Sequence, residues 1–163
     1  AVVPSRGLIG FRSLFLTLTS GTGIMTASFS HYGPVKSTSM GKRSNGVLVS
    51  MTQGVTLGYG LFYLQDRGRL FVGPQTEVYE GMIVGQNSRG DDMVVNPTKA
   101  KQLTNVRASG TDEALTLIPH IKMTLEQALE FVEDDELVEV TPQTIRLRKR
   151  FLTESERKRN SRG

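Results

Sequence analysis

The sequence predicts an α+β protein: a short strand–helix–strand unit, then a mostly β region with one or two short helices. Three observations predict it. Helical apolar spacing is confined to brief stretches near residues 8–16, 61–65 and 125–132. Short β-type runs punctuated by Gly, Pro and Asn recur between residues 46 and 96. Hydrophobic residues make up 37% and charged residues 22% of the 163, a balance that supports a packed core.

Ala1-Val2-Val3 reads as the end of a strand. Pro4-Ser5 then opens a helix with Ser5 as N-cap, Leu8, Phe11, Arg12, Phe15 and Leu16 at helical spacing, and Ser20-Gly21 as its stop. Thr22–Tyr32 follows as a strand, with Ile24, Thr26, Ser28 and Ser30 alternating against Met25, Ala27, Phe29 and His31. This unit is too small to bury its own faces and needs further sheet partners. Gly33–Asn45, rich in Gly, Pro, Ser and Lys, reads as a linker or loop.

Gly46–Met51 and Gly54–Gly58 read as strands, and Leu61–Gln65 as a short helix ending at Arg67-Gly68. Arg69–Val72 and Val78–Gly85 read as strands around a Gly73-Pro74 turn, and Met93–Asn96 as another after the polar turn Asn87–Gly90. Pro97–Asp112 has no period, and a loop of that length inside a domain is commonly functional. Thr124 and Gln127 form a capping box for a helix whose apolar face is Leu125, Ala128, Leu129 and Val132. Leu137–Val140 and Thr144–Arg148 flank Thr141-Pro142-Gln143 as a hairpin, and a short polar helix or tail follows Thr153.

Composition excludes several function classes. With no Cys there is no disulfide, thiolate metal site or cysteine nucleophile. No apolar run approaches the ~20 residues that a bilayer-spanning helix needs, and nothing resembles a signal peptide. The chain begins inside an apolar run without Met, as expected of a piece of a longer protein. The phosphate-wrapping pattern Gly-x-x-x-x-Gly-Lys-[Ser/Thr] is absent: Gly41-Lys42 lacks both the earlier Gly and the following hydroxyl, and Gly21-x-Gly23 has no third Gly. His31 and His120 lack zinc-ligand spacing, and Glu133-Asp134-Asp135-Glu136 lacks the alternation and turn Gly of a calcium loop. No carboxylate has an evident second group for acid–base work, so no catalytic residue is assigned.

The net charge of +4 hides a segregation. Arg146, Arg148, Lys149, Arg150, Arg157, Lys158, Arg159 and Arg162 crowd the last twenty residues against only Glu154 and Glu156. An acidic block, Glu126 to Glu139, lies just upstream. If Thr144–Arg150 is a strand, Ile145 and Leu147 face inward and Arg146, Arg148 and Arg150 align outward at roughly 6.6 Å intervals, two strand rises. That row suits either successive phosphates of a nucleic acid or pairing with Glu139 and its neighbours across the hairpin. In the Pro97–Asp112 loop, Lys99, Lys101 and Arg107 supply charge, and Ala108, Ser109 and Gly110 permit close backbone approach to a ligand.

Several longer runs carry a family likeness: Pro4–Arg12 (PSRGLIGFR), Leu64–Phe71 (LQDRGRLF), Val78–Gly85 (VYEGMIVG), Leu103–Ala114 (LTNVRASGTDEA), Met123–Phe131 (MTLEQALEF), and Leu137–Pro142 with Ile145–Arg150. Together they resemble the C-terminal part of the BipA (TypA) family of translational GTPases, over essentially the whole chain. The resemblance implies a partial ferredoxin-like unit, similar to domain V of elongation factor G, over residues 1–33, and a family-specific C-terminal domain over 34–163. It implies that GTP and magnesium belong to an upstream domain, so this chain holds no cofactor or metal of its own. It further implies a cytoplasmic, ribosome-associated protein of large-subunit assembly and stress adaptation.

Its expected partners are ribosomal RNA of the 23S type and the acceptor end of A-site tRNA, with no membrane contact and a monomeric chain. Members commonly read Asn-Pro-Leu-Lys-Gly-Lys-Lys-Leu-Thr-Asn at the contacting loop. Here Asn96–Asn105 keeps Lys99 and Lys101 and departs at Thr98, Ala100 and Gln102. The expected RNA-binding set is therefore Lys99, Lys101, Arg107 and Ser109, with Arg146, Arg148, Lys149 and Arg150 as a second contact. The alternative is a structural domain that orients the GTPase and pairs its charges internally.

Overall fold

Val47-Leu48-Val49 and Met82-Ile83-Val84 are continuous apolar runs, as expected of strands covered on both faces. They form the centre of the fold in the computed structural model, which describes residues 2–8, 11–34, 43–101 and 115–160. Strand β1 (Val47–Ser50) pairs antiparallel with β5 (Met82–Asn87) and parallel with β6 (Met93–Val95). On its other side β5 is shared end to end. Gly85–Asn87 meet β3 (Gly68–Leu70), and Met82-Ile83 meet β8 (Ile145–Lys149). Strand β7 (Glu136–Val140) closes that side as the hairpin partner of β8. A two-stranded ladder joins β2 (Gly54–Val55) to β4 (Glu77–Val78).

Alternation along the strands sends side chains to two cores. Leu48, Met82 and Val84 join Leu61, Leu70, Val72, Val78 and Val95 on one face, beneath α2 (Gly58–Leu64). Val47, Val49 and Ile83 join Leu147 and Ala128 on the other, beneath α3 (Leu125–Phe131). Each fully buried Val, Leu or Ile contributes about 1.5–3 kcal/mol.

The capping box at α3 forms as predicted: Thr124 Oγ1 accepts from the Gln127 amide and Gln127 Oε1 accepts from the Thr124 amide. Its buried face differs from the predicted one. Ala128 is fully buried and Phe131, Val132 and Met123 pack beside it, whereas Leu125 and Leu129 are 42% and 48% exposed. Phe131 fixes the rotation, because its ring meets Phe71 edge to face at 5.2 Å and lies 4.2 Å beneath the Arg43 guanidinium.

The strand predicted over Val78–Gly85 is interrupted. Gly81 turns the chain at φ +87° between β4 and β5, a conformation that L residues rarely adopt. The closing residues form α4 (Glu154–Asn160), capped by Thr153 and Glu156.

At the front, a 3₁₀ turn (Ser5–Leu8) replaces the predicted first helical turn, and α1 spans Phe11–Leu18. The predicted stop is a Schellman motif: the Gly21 amide donates to Leu16 O and the Ser20 amide to Thr17 O, with Ser20 at φ +50°. The strand predicted at Thr22–Tyr32 carries no ladder among the described residues, and Ile24, Phe29 and Tyr32 are largely exposed. A strand is defined by its partner's hydrogen bonds, and this stretch has no partner strand among the described residues.

Candidate functional site

The basic strand β8 alternates as its sequence predicts, and its cations separate accordingly. Arg146, Arg148 and Arg150 fall on the outer side, while Lys149 points inward with Ile145 and Leu147. Lys149, expected as an RNA contact, is buried at 2% exposure. Its Nζ lies 2.6 Å from Asp92 Oδ2, 2.8 Å from Asp135 Oδ2 and 3.0 Å from Glu136 Oε1. Burial alone would pull this ammonium down. Its hydrogen bonds to Asp135 and Asp92, with the charge of Glu136, outweigh that and hold it above the ordinary lysine range.

Glu136 is itself clasped by Arg43, whose guanidinium donates to both carboxylate oxygens at 2.8 and 3.0 Å and to Phe131 O at 2.8 Å. Desolvation opposes the Arg43 charge, and Glu136 more than compensates. These ions fasten the hairpin to α3 and to the loop before β6.

The outer row is partly engaged as well. Arg148 Nε forms an ion pair with Glu139 Oε1 at 2.7 Å, and the Tyr79 hydroxyl donates to Glu139 Oε2 at 2.5 Å. Burial first, and this bond second, push the Tyr79 phenol well above its usual range. Arg150 is exposed, 5.9 Å from the Phe151 ring. Arg146 sits opposite Glu139 in the hairpin register.

The other predicted cluster begins on α2. Leu57, at the N-cap of α2, donates its amide to Pro97 O at 3.1 Å. The chain passes so close to the helix that a Cβ on Gly60 would lie 2.7 Å from Pro97 O and 3.2 Å from the Lys99 amide nitrogen. Asn96 Oδ1 accepts from the Thr98 amide at 3.0 Å and the Thr98 hydroxyl at 2.8 Å, an Asx turn that sets the exit direction. Lys99, Ala100 and Lys101 then run out exposed. Arg107 and Ser109 lie outside the described residues.

On the return, the Gln65 side chain at the far end of α2 donates to Thr116 O at 3.2 Å and accepts from the Ile118 amide at 3.0 Å. Both described flanks of the loop are thus tied to one helix. Sequence reading had no signal for this, because the Gln65 contacts join residues 51 and 53 apart. Tyr59 and Tyr63 were missed too. Their i, i+4 spacing places them on one side of α2, rings 4.9 Å apart, with Tyr63 53% exposed.

Comparison with known proteins agrees with this architecture. The family model described as the TypA/BipA C-terminal domain matches residues 45–154. The chain belongs to the TypA/BipA C-terminal domain family. A second model, the elongation factor G C-terminus, matches residues 1–43. The relatives are BipA proteins, each called a large ribosomal subunit assembly factor. That of Salmonella typhimurium is 60% identical over 162 residues, covering 99% of this chain and 27% of the relative. That of Escherichia coli K12 is 61% identical with the same coverage, and that of Haemophilus influenzae is 56% identical over 161 residues, 99% and 26%. The chain therefore spans about a quarter of the length of these BipA relatives. No helix among the described residues is long and apolar enough to cross a membrane.

Proposed function

We propose that this chain is the RNA-contacting module of a BipA-type translational GTPase. In this reading it positions the protein on the ribosome during large-subunit assembly and carries no chemistry of its own. The observation that carries it is the braced loop stem: two cations, Lys99 and Lys101, are exposed at the end of a backbone anchored to α2. Arg107 and Ser109 extend the proposed contact, and exposed Arg150 with Arg146 supplies a second one. Ribosomal RNA and the acceptor end of A-site tRNA are the proposed partners, in the cytoplasm and with this chain monomeric. A role in stress adaptation follows from the same reading.

GTP and magnesium are assigned to an upstream domain. The sequence lacks the phosphate-wrapping motif. A second reading is favoured for β8 by specific contacts. The Arg148–Glu139 pair and the buried Lys149 cluster are internal fastenings, as expected of a structural domain that orients the GTPase.

The test is binding of the chain to a ribosomal RNA segment across a salt series. Affinity should fall steeply with salt, and Lys101→Ala should lower the slope of log K against log salt by about 0.7–0.9, the value of one phosphate contact. Affinity that does not change with salt rejects RNA contact and leaves the structural reading.

A further inference from the structure

Tyr63 presents a feature that core packing does not account for. It lies on α2, the helix that buries Leu61 on the sheet, yet 53% of Tyr63 remains exposed. Its two ring neighbours meet it at steep angles: Tyr59 at 67° with centroids 4.9 Å apart, and Phe62 at 87° and 5.5 Å. Neither lies parallel to it. The pair holds the Tyr63 ring in place without covering it as a stacked partner would.

The surroundings of this ring are cationic. The chain leaving Pro97 runs against Gly60, one turn before Tyr63, and continues through Lys99 and Lys101. The Tyr63 phenol is raised above its ordinary value, first by its hydrogen bond to Tyr59, with the charges of Lys99 and Lys101 opposing that shift. An exposed, restrained aromatic ring beside a basic strand of chain is the combination that single-stranded nucleic acid requires. The cations follow the backbone, and the ring accepts the flat face of a base regardless of its identity. Duplex RNA offers phosphates to the lysines and keeps its bases stacked inside, so it gains nothing from the ring.

We propose that Tyr63, held by Tyr59, is a stacking platform for an unpaired base of single-stranded RNA whose backbone lies on Lys99 and Lys101. This rests on the RNA-contacting reading above and sharpens it, since it assigns the α2 side of the loop to single strands over duplexes. A protein partner with an acidic apolar segment would also meet a ring and two cations, and the test separates that occupant.

The experiment titrates the full chain with an oligoadenylate and with a blunt-ended RNA duplex of matched length, for the wild type, Tyr63→Ala, Tyr63→Phe and Lys101→Ala. Tyr63 is exposed and its replacement leaves both cores intact. Unchanged thermal unfolding of each variant verifies this. Loss of one stacked base should weaken oligoadenylate binding by about 5–150-fold in Tyr63→Ala. Duplex binding and the salt slope should stay as in the wild type, and Tyr63→Phe should bind like the wild type. Lys101→Ala should instead weaken both RNAs and flatten the slope.

Equal binding of the oligoadenylate by Tyr63→Ala and wild type overturns the platform while leaving RNA contact standing. So does an equal loss on the duplex, or a Tyr63→Phe variant as weak as Tyr63→Ala. No binding of either RNA by the wild type at low salt overturns the RNA-contacting reading itself, and leaves the protein segment as the occupant.

Discussion

Replacing Lys149 by methionine keeps the length of the side chain and removes the cation that three carboxylates share. The cost can be worked from the contacts. Asp92 and Asp135 have side chains 40% and 60% exposed, so water replaces the lost ammonium for them. Glu136 has a fully buried side chain and keeps the Arg43 fork at 2.8 and 3.0 Å, and the Glu133 amide, which donates to its Oε2 at 3.2 Å. Removing one partner of a buried pair costs about 3–5 kcal/mol, and the surviving fork places Lys149→Met near the lower end, about 3 kcal/mol. For a chain of this size that is roughly 6–12 °C in Tm.

The assay is urea and thermal unfolding followed by far-UV circular dichroism, repeated across alkaline pH. The folded-state pKa of Lys149 is raised above its ordinary 10.5, so its contribution is complete below that pH and lost as pH rises through the folded value. Wild-type stability should therefore decline above about pH 10, and Lys149→Met should flatten this limb. RNA affinity and its salt slope should be unchanged in the variant. A loss below about 1 kcal/mol, together with a slope lowered by nearly one phosphate contact, would refute the reasoning and return Lys149 to the RNA-facing set.

Other expectations follow from the same geometry. Gln65→Leu should weaken RNA binding without changing the salt slope and speed hydrogen exchange at the Ile118 amide, because it frees one flank of the loop while keeping all cations. Gly81→Ala should cost about 2 kcal/mol or more in urea unfolding, since a Cβ is strained at φ +87° and would lie 2.6 Å from Leu152 Cα. Thr124→Ala should cost about 1 kcal/mol through loss of the capping box at α3. Tyr79→Phe should remove a second part of the alkaline decline: the raised Tyr79 pKa contributes stability below about pH 10 that is lost above it.

Much of the fold was legible because its signals are local. The runs Val47–Val49 and Met82–Val84 state that their sheet is covered on both faces, and Thr124 with Gln127 fixes where α3 begins. Helical and strand periods also placed α2 and the β7–β8 hairpin to within a few residues. The misses share a cause. The rotation of α3 depends on Phe71 and Arg43, which lie far away in sequence, so spacing alone assigned Leu125 and Leu129 to a core they do not enter. The break in Val78–Gly85 depends on the backbone angle of Gly81 in one turn.

The candidate site divides in the same way. The sequence by itself determined that the cations fall in two clusters, that β8 alternates between two faces, and that the chain resembles the BipA family. Only the tertiary structure decided which of those cations reach solvent. Arg43 and Glu136 are 93 residues apart and Tyr79 and Glu139 are 60 apart, yet they form hydrogen-bonded pairs. A charge written in the sequence carries no statement of its partner. Whether it binds a phosphate or closes a hairpin is settled by what the fold brings within about 3 Å of it. In this fold Lys149 is held in the interior by its carboxylates, while Lys99 and Lys101 lie at the exposed surface.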